Sequence, residues 1–381
     1  MNTKKIIYKA KIEDNYFFDM RNKKRQYALE NADITMFWGL RGNGKSYSSK
    51  DFVVRRAMKD YLEGKENSFK QFGYVRRTSN LIKLATTTWG TRFNFKNGLK
   101  IESNRNGVFL VREEEIEVKK KVKTKKVVLG RLGVWGQIKI PENNKSLEYE
   151  EVDTLFIDEF VNEQGQYLPY EPERLASLIE SVGRIKKMKI FMCGNSVSPE
   201  NPYFSYYGIG YNDIPPQNWL YIYEIRNDEG ALKRIAIENV GISQKLKKEK
   251  KESTASRLNS GTNYGNFSEG KDFLINNSGM VLTNPSKRLE YKYNIQLYGR
   301  CYEVHSYDKW GLFVRPGEEP HGKKYYLTKQ DAVSDGRQSA FTSPEWFYYL
   351  CSSKGRTNNL FFKDIDTKTS FLDWLTRFKS L

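Results

Sequence analysis

The chain has 381 residues, 38% of them hydrophobic and 14% aromatic, so it can bury more than one core and is not a disordered polymer. Its formal charge of +18 exceeds what solubility needs and points to a polyanionic partner, a generally basic protein being the plainer reading. Three widely spaced cysteines, 193, 301 and 351, speak against a disulfide framework and for a reduced setting, and no apolar run reaches the length of a membrane span.

Residues 1–33 are charged and aromatic, with one apolar knot at Tyr16-Phe17-Phe18. The knot either covers a bound base or, the stronger reading, packs on the first strand. That strand is Ile34 to Trp38, short and rich in β-formers. Gly39-Leu40-Arg41-Gly42-Asn43-Gly44-Lys45-Ser46 follows and fills the pattern G-x-x-x-x-G-K-[ST] without substitution. Tyr47 through Leu62 has no Pro or Gly and can carry a helix. Strand, glycine loop and helix are the order in which backbone N–H groups converge on a polyphosphate, aided by the helix N-terminus. Gly39, Arg41, Gly42, Asn43, Gly44, Lys45, Ser46 and Tyr47 are therefore the candidate nucleotide site. Lys45 would reach the outer phosphates of ATP, and Ser46 would ligate Mg²⁺. Arg41 either touches the γ-phosphate or faces solvent.

Phe69 to Arg77 reads as a second strand ending in two arginines, which face phosphate or simply water. Residues 91–145 alternate in short β-like pieces. Between them Glu113-Glu114-Glu115 precedes a basic block that includes Lys119, Lys120, Lys121, Lys123 and Lys125. We expect a long hairpin over 111–131, its lysine row a solvated surface or a contact to a DNA backbone.

Residues 152–158 form a buried strand ending in Asp158-Glu159. Asp158 is placed to hold the Mg²⁺ shell, and Glu159 to orient a water for in-line attack on the γ-phosphate. A small-molecule kinase needs no such second carboxylate, because its substrate brings the nucleophile. Pro169 to Val182 is helical by its apolar spacing, and Met188 to Cys193 is another strand closing at Gly194-Asn195. The Asn195 amide either contacts the attacking water or makes a turn. Arg184 could serve a neighbouring subunit as an arginine finger. The strand–helix–strand order predicts an α/β fold, a mainly parallel sheet with helices on both faces.

The pattern changes near residue 225, and the lysine-rich stretch 242–260 reads as a basic connector, helical or mobile. Residues 270–381 suggest a smaller α+β unit, with strands at Arg288–Tyr298, Cys301–Tyr307 and Gly311–Val314 and helices at 343–351 and 366–379. The expected domains are 1–225, a linker over 226–265, and 266–381. No metal-ligand cluster is legible, the two histidines standing apart at 305 and 321.

These residues resemble the DNA-packaging motor ATPases of phi-29-like tailed phages, relatives of the large terminases and of FtsK/HerA-type (ASCE) P-loop translocases. The likeness is carried by residues 39–47, Tyr74-Val75-Arg76-Arg77, Leu155-Phe156-Ile157-Asp158-Glu159-Phe160, Gly194-Asn195-Ser196-Val197, Asn201-Pro202-Tyr203-Phe204 and residues 257–265, in order. Beyond 265 it is loose. It implies a homo-oligomeric ring, a pentamer, docked on a phage portal and in some members on a scaffold RNA. It implies ATP-driven pumping of double-stranded DNA into a procapsid, in the host cytoplasm and with no membrane. Arg184 falls where the family's trans-acting arginine sits, whereas Thr78-Ser79-Asn80 lacks the basic residue expected after the paired arginines. The family's C-terminal domain is RNase H-like. Here the early strands show no aspartate to start a two-metal site, which implies a vestigial, non-cleaving domain that binds nucleic acid or the portal. The alternative to a pump is a nucleotide-switched clamp or loader; a small-molecule kinase would leave the charge and the C-terminal unit unexplained.

Overall fold

The computed structural model describes residues 3–64, 69–87, 89, 93, 95, 98–118, 121–139, 151–162, 167–184, 186–196, 201–210, 213–226, 230–260, 262, 281–282, 285, 289–297, 300–307, 311–317, 320, 324–326, 360–364, 367–368 and 371. The chain divides into two compact units: Met1–Gln164 with Glu171–Ser196 and Ile214–Lys271, and Gly165–Tyr170 with Val197–Asp213 and Asp272–Leu381.

The first unit is built on ten strands: β1 (Thr3–Lys11), β2 (Ile34–Gly39), β3 (Gln71–Arg76), β4 (Leu99–Asn104), β5 (Gly107–Val118), β6 (Lys121–Gln137), β7 (Val152–Asp158), β8 (Lys189–Asn195), β9 (Trp219–Arg226) and β10 (Leu232–Val240). Their order across the sheet is β1-β9-β10-β2-β8-β7-β3-β6-β5-β4. Every ladder from β10 to β6 is parallel, and the flanking ladders on both sides are antiparallel. The parallel centre explains the near-continuous apolar runs of β2 and β3, where every residue is buried and both faces are therefore covered. The first helices of this unit are α1 (Lys23–Asn31), α2 (Lys45–Leu62), α3 (Ser79–Thr86) and α4 (Glu171–Gly183). α5 (Pro202–Tyr207) belongs to the second unit, whereas α6 (Gln244–Glu252) and α7 (Thr254–Asn259) return to the first.

Aromatic packing holds the middle of the sheet. Phe191 of β8 stacks on Phe156 of β7 with ring centroids 4.8 Å apart and meets Phe37 of β2 and Phe52 of α2 edge-on, each at 6.2 Å. Truncating Phe191, which is fully buried, to Ala would remove about 3–5 kcal/mol. This packing fixes the carboxyl ends of β2, β8, β7 and β3 side by side.

The stretch expected as a linker contains a full strand. β10 pairs Ile235–Val240 in parallel with Ile34–Gly39 and lies antiparallel to β9. The run Ile235-Ala236-Ile237 is buried beside β2, so the sheet, and with it the first unit, continues past residue 226. α6 and α7 do form where the basic helical stretch was expected. β1, α1 and β9 are further elements that the motif-led reading passed over.

The long hairpin is present as β5 and β6, with Glu113 opposite Lys126, Glu114 opposite Lys125 and Glu115 opposite Thr124. The acid block and the basic block thus face each other across one ladder, an arrangement that opposite-charge pairs stabilise by about 0.2–1 kcal/mol each. The second unit carries a five-stranded sheet, β14-β11-β12-β13-β15, from β11 (Glu290–Leu297), β12 (Arg300–Tyr307), β13 (Gly311–Pro316), β14 (Lys324–Tyr326) and β15 (Leu360–Phe362). β11, β12 and β13 form an antiparallel meander, while β14 and β15 add in parallel at its edges. The helix expected at 343–351 lies outside the described residues, and of 366–379 only Thr367, Lys368 and Phe371 are described, all helical. Among the described residues no helix is long and apolar enough to cross a membrane.

Candidate functional site

The glycine loop leaves β2 at Gly39 and enters α2 at Lys45. A Cβ at Gly39 would stand 2.0 Å from the Val240 carbonyl oxygen, so only glycine lets β2 and β10 run this close. Gly42 and Gly44 take φ of 72° and 90°, left-handed values that turn the loop back over the start of α2. Lys45 is buried beneath the loop. Its ammonium donates to the carbonyls of Gly39 (3.1 Å) and Leu40 (2.7 Å) and to Asn43 Oδ1 (3.2 Å). Burial pulls its pKa from 10.5 down to about 8. Asn43 is held in turn by its Nδ2 donating to the Gly241 carbonyl at 3.3 Å.

Ser46 Oγ donates to Asp158 Oδ1 at 2.7 Å, which joins the first turn of α2 to the end of β7, 112 residues away. Tyr74 Oη donates to the other oxygen of Asp158 at 2.8 Å. Arg76 spans both acids: Nη1 lies 3.3 Å from Asp158 Oδ2, and Nη2 donates to Glu159 Oε2 at 2.5 Å. Burial works against the charge on Arg76, but Tyr74, Asp158 and Glu159 outweigh it and its pKa rises. Burial, then the Asp158 charge, drives the Tyr74 hydroxyl well above its usual range, so it stays a donor. Glu159 is 53% exposed at the side chain and sits at φ 59°, a left-handed conformation that costs a non-glycine residue about 1 kcal/mol. Arg77 is turned elsewhere, donating to Glu171 Oε2 at 2.8 Å and to the Phe160 carbonyl at 3.2 Å, which braces the turn after β7 against α4.

Asn195 ends β8 in register with Gly39, and the next residue, Ser196, donates its N–H to the Gly39 carbonyl at 2.9 Å. Asn195 thus ends its strand beside the start of the loop. Arg184 is exposed directly after α4, with φ 40° and its N–H capping the Glu180 carbonyl. Arg41 and Tyr47 are exposed on the loop and on α2. Lys125 is exposed on the hairpin; Lys121 and Lys123 lie in β6, and Lys119 and Lys120 fall outside the described residues. Cys193 is buried beside Ser49 at 3.3 Å, and burial pushes its thiol up to about 12, which fits a packing residue rather than a nucleophile.

The knot at 16–18 divides. Phe18 is buried edge-on to Phe37 of β2, with Arg25 over its other face, and its N–H donates to the Asn43 carbonyl at 2.9 Å. Phe17 stays half exposed against Gly44, where a cavity of about 690 Å³ is lined by Tyr16, Phe17, Asp19, Tyr47 and Asp51. Arg25 is fully buried and paired with both Asp14 and Glu238, anchoring this segment to β10.

Sequence reasoning missed three contributors. Tyr74 and Arg76 needed the β3–β7 pairing to come near Asp158, and Lys250 of α6 reaches the loop from 209 residues away, its ammonium 2.6 Å from the Arg41 carbonyl. Among the described residues no group of three or more His, Cys, Asp or Glu side chains could hold a metal ion.

Fold and site define an α/β protein with a glycine loop and a carboxylate pair at the carboxyl edge of a parallel sheet, the place where such sheets bind ligands. The chain belongs to the Podovirus DNA encapsidation protein (Gp16) family, whose model matches residues 22–351. Its fold is similar to that of the Phi-28 gp11 DNA packaging motor, with a TM-score of 0.54 and 14% identity over 95% of this chain and 98% of that one. It is similar too to a chain of the bacteriophage Phi-29 viral genome packaging motor assembly, with a TM-score of 0.53 and 19% identity over 95% of this chain and 100% of that one. A comparison with curated proteins gives no match.

Proposed function

We propose that this protein is an ATP-hydrolysing motor that moves double-stranded viral DNA into a procapsid as a homo-oligomeric ring. The observation that carries the reading is the contact of Ser46 with Asp158 beside a buried Lys45 whose ammonium donates to three neutral acceptors. A desolvated ammonium in a ring of backbone dipoles fits the phosphates of ATP, and the two hard oxygen donors fit Mg²⁺. When bound, the ion would neutralise charge on the phosphates. Gly42, Asn43 and Gly44 would present N–H groups to the phosphates, and Lys45 would exchange its loop carbonyls for them. Phe17 and Tyr47, both exposed beside Gly44, would cover the base.

Glu159 would hold a water for in-line attack and accept its proton, with Asn195 as a second polar contact at the same edge. Arg76 fixes Glu159 while the site waits, and Arg184, exposed after α4 and before β8 begins, would enter the site of the next subunit. Membership in a DNA encapsidation family supports the DNA substrate, and the +18 charge supports a phosphodiester grip. The ring, a pentamer on the phage portal with a scaffold RNA in some members, the host-cytoplasm setting and the kinship with terminases and FtsK/HerA-type (ASCE) translocases stand on the resemblance of the motifs. The second unit is proposed as a vestigial RNase H-like domain that no longer cuts. Its buried Glu303 is taken by Arg315 at 2.7 Å and by His305 at 3.0 Å rather than standing ready for a metal.

The alternative is a nucleotide-switched clamp. ATP consumed per bound duplex separates the two: consumption that grows with duplex length supports a pump, and one turnover per binding event overturns it in favour of the clamp.

A further inference from the structure

α6 meets the crown of the glycine loop. Lys250 Nζ donates to the Arg41 carbonyl at 2.6 Å, while Lys45 holds the carbonyls of Gly39 and Leu40. Two ammonium groups thus occupy three consecutive loop carbonyls. A carbonyl offers an ammonium a dipole, whereas a phosphate oxygen offers it a full opposite charge. Gly42 leaves the approach open, since a Cβ there would lie 3.1 Å from Lys250 Nζ.

The helix that supplies Lys250 is fixed independently of the loop. Ser243 caps α6 by accepting from the Leu246 N–H and donates to the Tyr16 carbonyl at 2.8 Å. Leu246 is buried, Glu249 accepts from the Tyr16 hydroxyl, and Lys245 lies 5.3 Å over the Tyr16 ring. Between α6–α7 and residues 40–42 lies a cavity of about 210 Å³. Arg41, Lys247, Lys250 and Lys251 line it, and none of the described residues lining it is acidic. A concave site with four cations and, among the described residues, no carboxylate is suited to an anion, and burial lowers the Lys250 pKa.

We propose that this cavity is a phosphate subsite beside the glycine loop, with Lys250 as its principal cation and α6–α7 as the element that senses its occupancy. The proposal rests on the reading of the loop as a nucleotide site. The phosphate is either the terminal group of the loop-bound nucleotide or inorganic phosphate split from it. On filling, Lys250 leaves the Arg41 carbonyl for the phosphate oxygen, and α6, already docked at the loop, is held there more firmly.

The test uses the purified chain, with Lys250→Ala and Lys250→Arg, and measures binding of ADP, a non-hydrolysable ATP analogue, and inorganic phosphate in the presence of ADP. If the nucleotide's own terminal phosphate fills the cavity, Lys250→Ala weakens the ATP analogue about tenfold and ADP less than about twofold, and Lys250→Arg restores most of the loss. If free phosphate fills it, Lys250→Ala leaves both nucleotides alone and weakens inorganic phosphate about tenfold. In either case the phosphate-bearing ligand slows trypsin cleavage within 244–259 in the wild type and not in Lys250→Ala. Wild-type and Lys250→Ala chains that bind all three alike overturn the subsite alone. A wild type that binds none of them overturns the nucleotide reading, and the subsite with it.

Discussion

Arg76 donates to Glu159 at 2.5 Å with one terminal nitrogen and lies 3.3 Å from Asp158 with the other. Its side chain is 10% exposed and that of Asp158 3%, so removing the guanidinium leaves a buried carboxylate without its cation. Loss of one partner of such a pair destabilises by about 3–5 kcal/mol. Arg76→Met should therefore lower the urea midpoint by that equivalent. Arg76→Lys should keep the fold and lose turnover about tenfold or more, because one point charge cannot span two carboxylates. A Lys variant with normal turnover would remove Arg76 from the positioning of Glu159.

The burial of Lys45 gives nucleotide affinity a pH dependence with a definite sign. Its folded pKa, about 8 without ligand, lies below the ordinary 10.5. The unfolded chain therefore binds more protons between those values, and the penalty of burying Lys45 is relieved as pH rises through that window. A polyphosphate needs the charged form. Above pH 8, binding must draw in a proton, and ATP affinity should fall about tenfold per pH unit. Calorimetry in buffers of different ionisation enthalpy would register the uptake; a flat affinity from pH 7 to 10 would contradict it.

Gly39→Ala places a methyl group 2.0 Å from the Val240 carbonyl oxygen, a backbone atom that cannot swing aside. The substitution should cost about 1–3 kcal/mol and separate β2 from β10, moving the loop it precedes. Circular dichroism melts and ATP binding should fall together. An unchanged melt would show that the two strands have room to part.

DNA binding should weaken steeply with salt, the log–log slope being about −0.9 for each phosphate neutralised. The hairpin lysines test where the grip lies. Alanine at Lys121, Lys123 and Lys125 should make the slope shallower by about 2–3 if the hairpin touches the duplex. An unchanged slope would mean that the hairpin lysines do not touch the duplex.

The central elements were legible because each carries a local signal. Ile34 to Trp38, the glycine loop and the Pro- and Gly-free run of α2 announce themselves in order, and Val152–Asp158 is an apolar strand with an acidic end. What escaped depends on pairing between distant residues. Arg76 looked like a strand end facing phosphate or water; only the β3–β7 register turns it onto Asp158 and Glu159. The run Ile235-Ala236-Ile237 was a usable strand signal, overshadowed by the lysines that follow it in α6. Lys250 was one of five close-set lysines, and nothing local distinguishes the one that α6 directs onto the loop. The split of the 16–18 knot, with Phe18 in the core and Phe17 at the loop, follows from the contacts of Phe18 with Phe37 and of Phe17 with Gly44, which composition does not show.

The most direct test of the account compares ATP hydrolysis, with and without duplex DNA, in the wild type and Glu159→Gln, alone and mixed with Arg184→Ala. Glu159→Gln should bind ATP within about threefold of the wild type and lose duplex-stimulated hydrolysis by about 10²–10⁴-fold, the worth of a general base. Mixed assemblies should be slower than the average of their parts. Glu159→Gln turning over ATP like the wild type, or a wild type whose hydrolysis ignores duplex DNA, would contradict it.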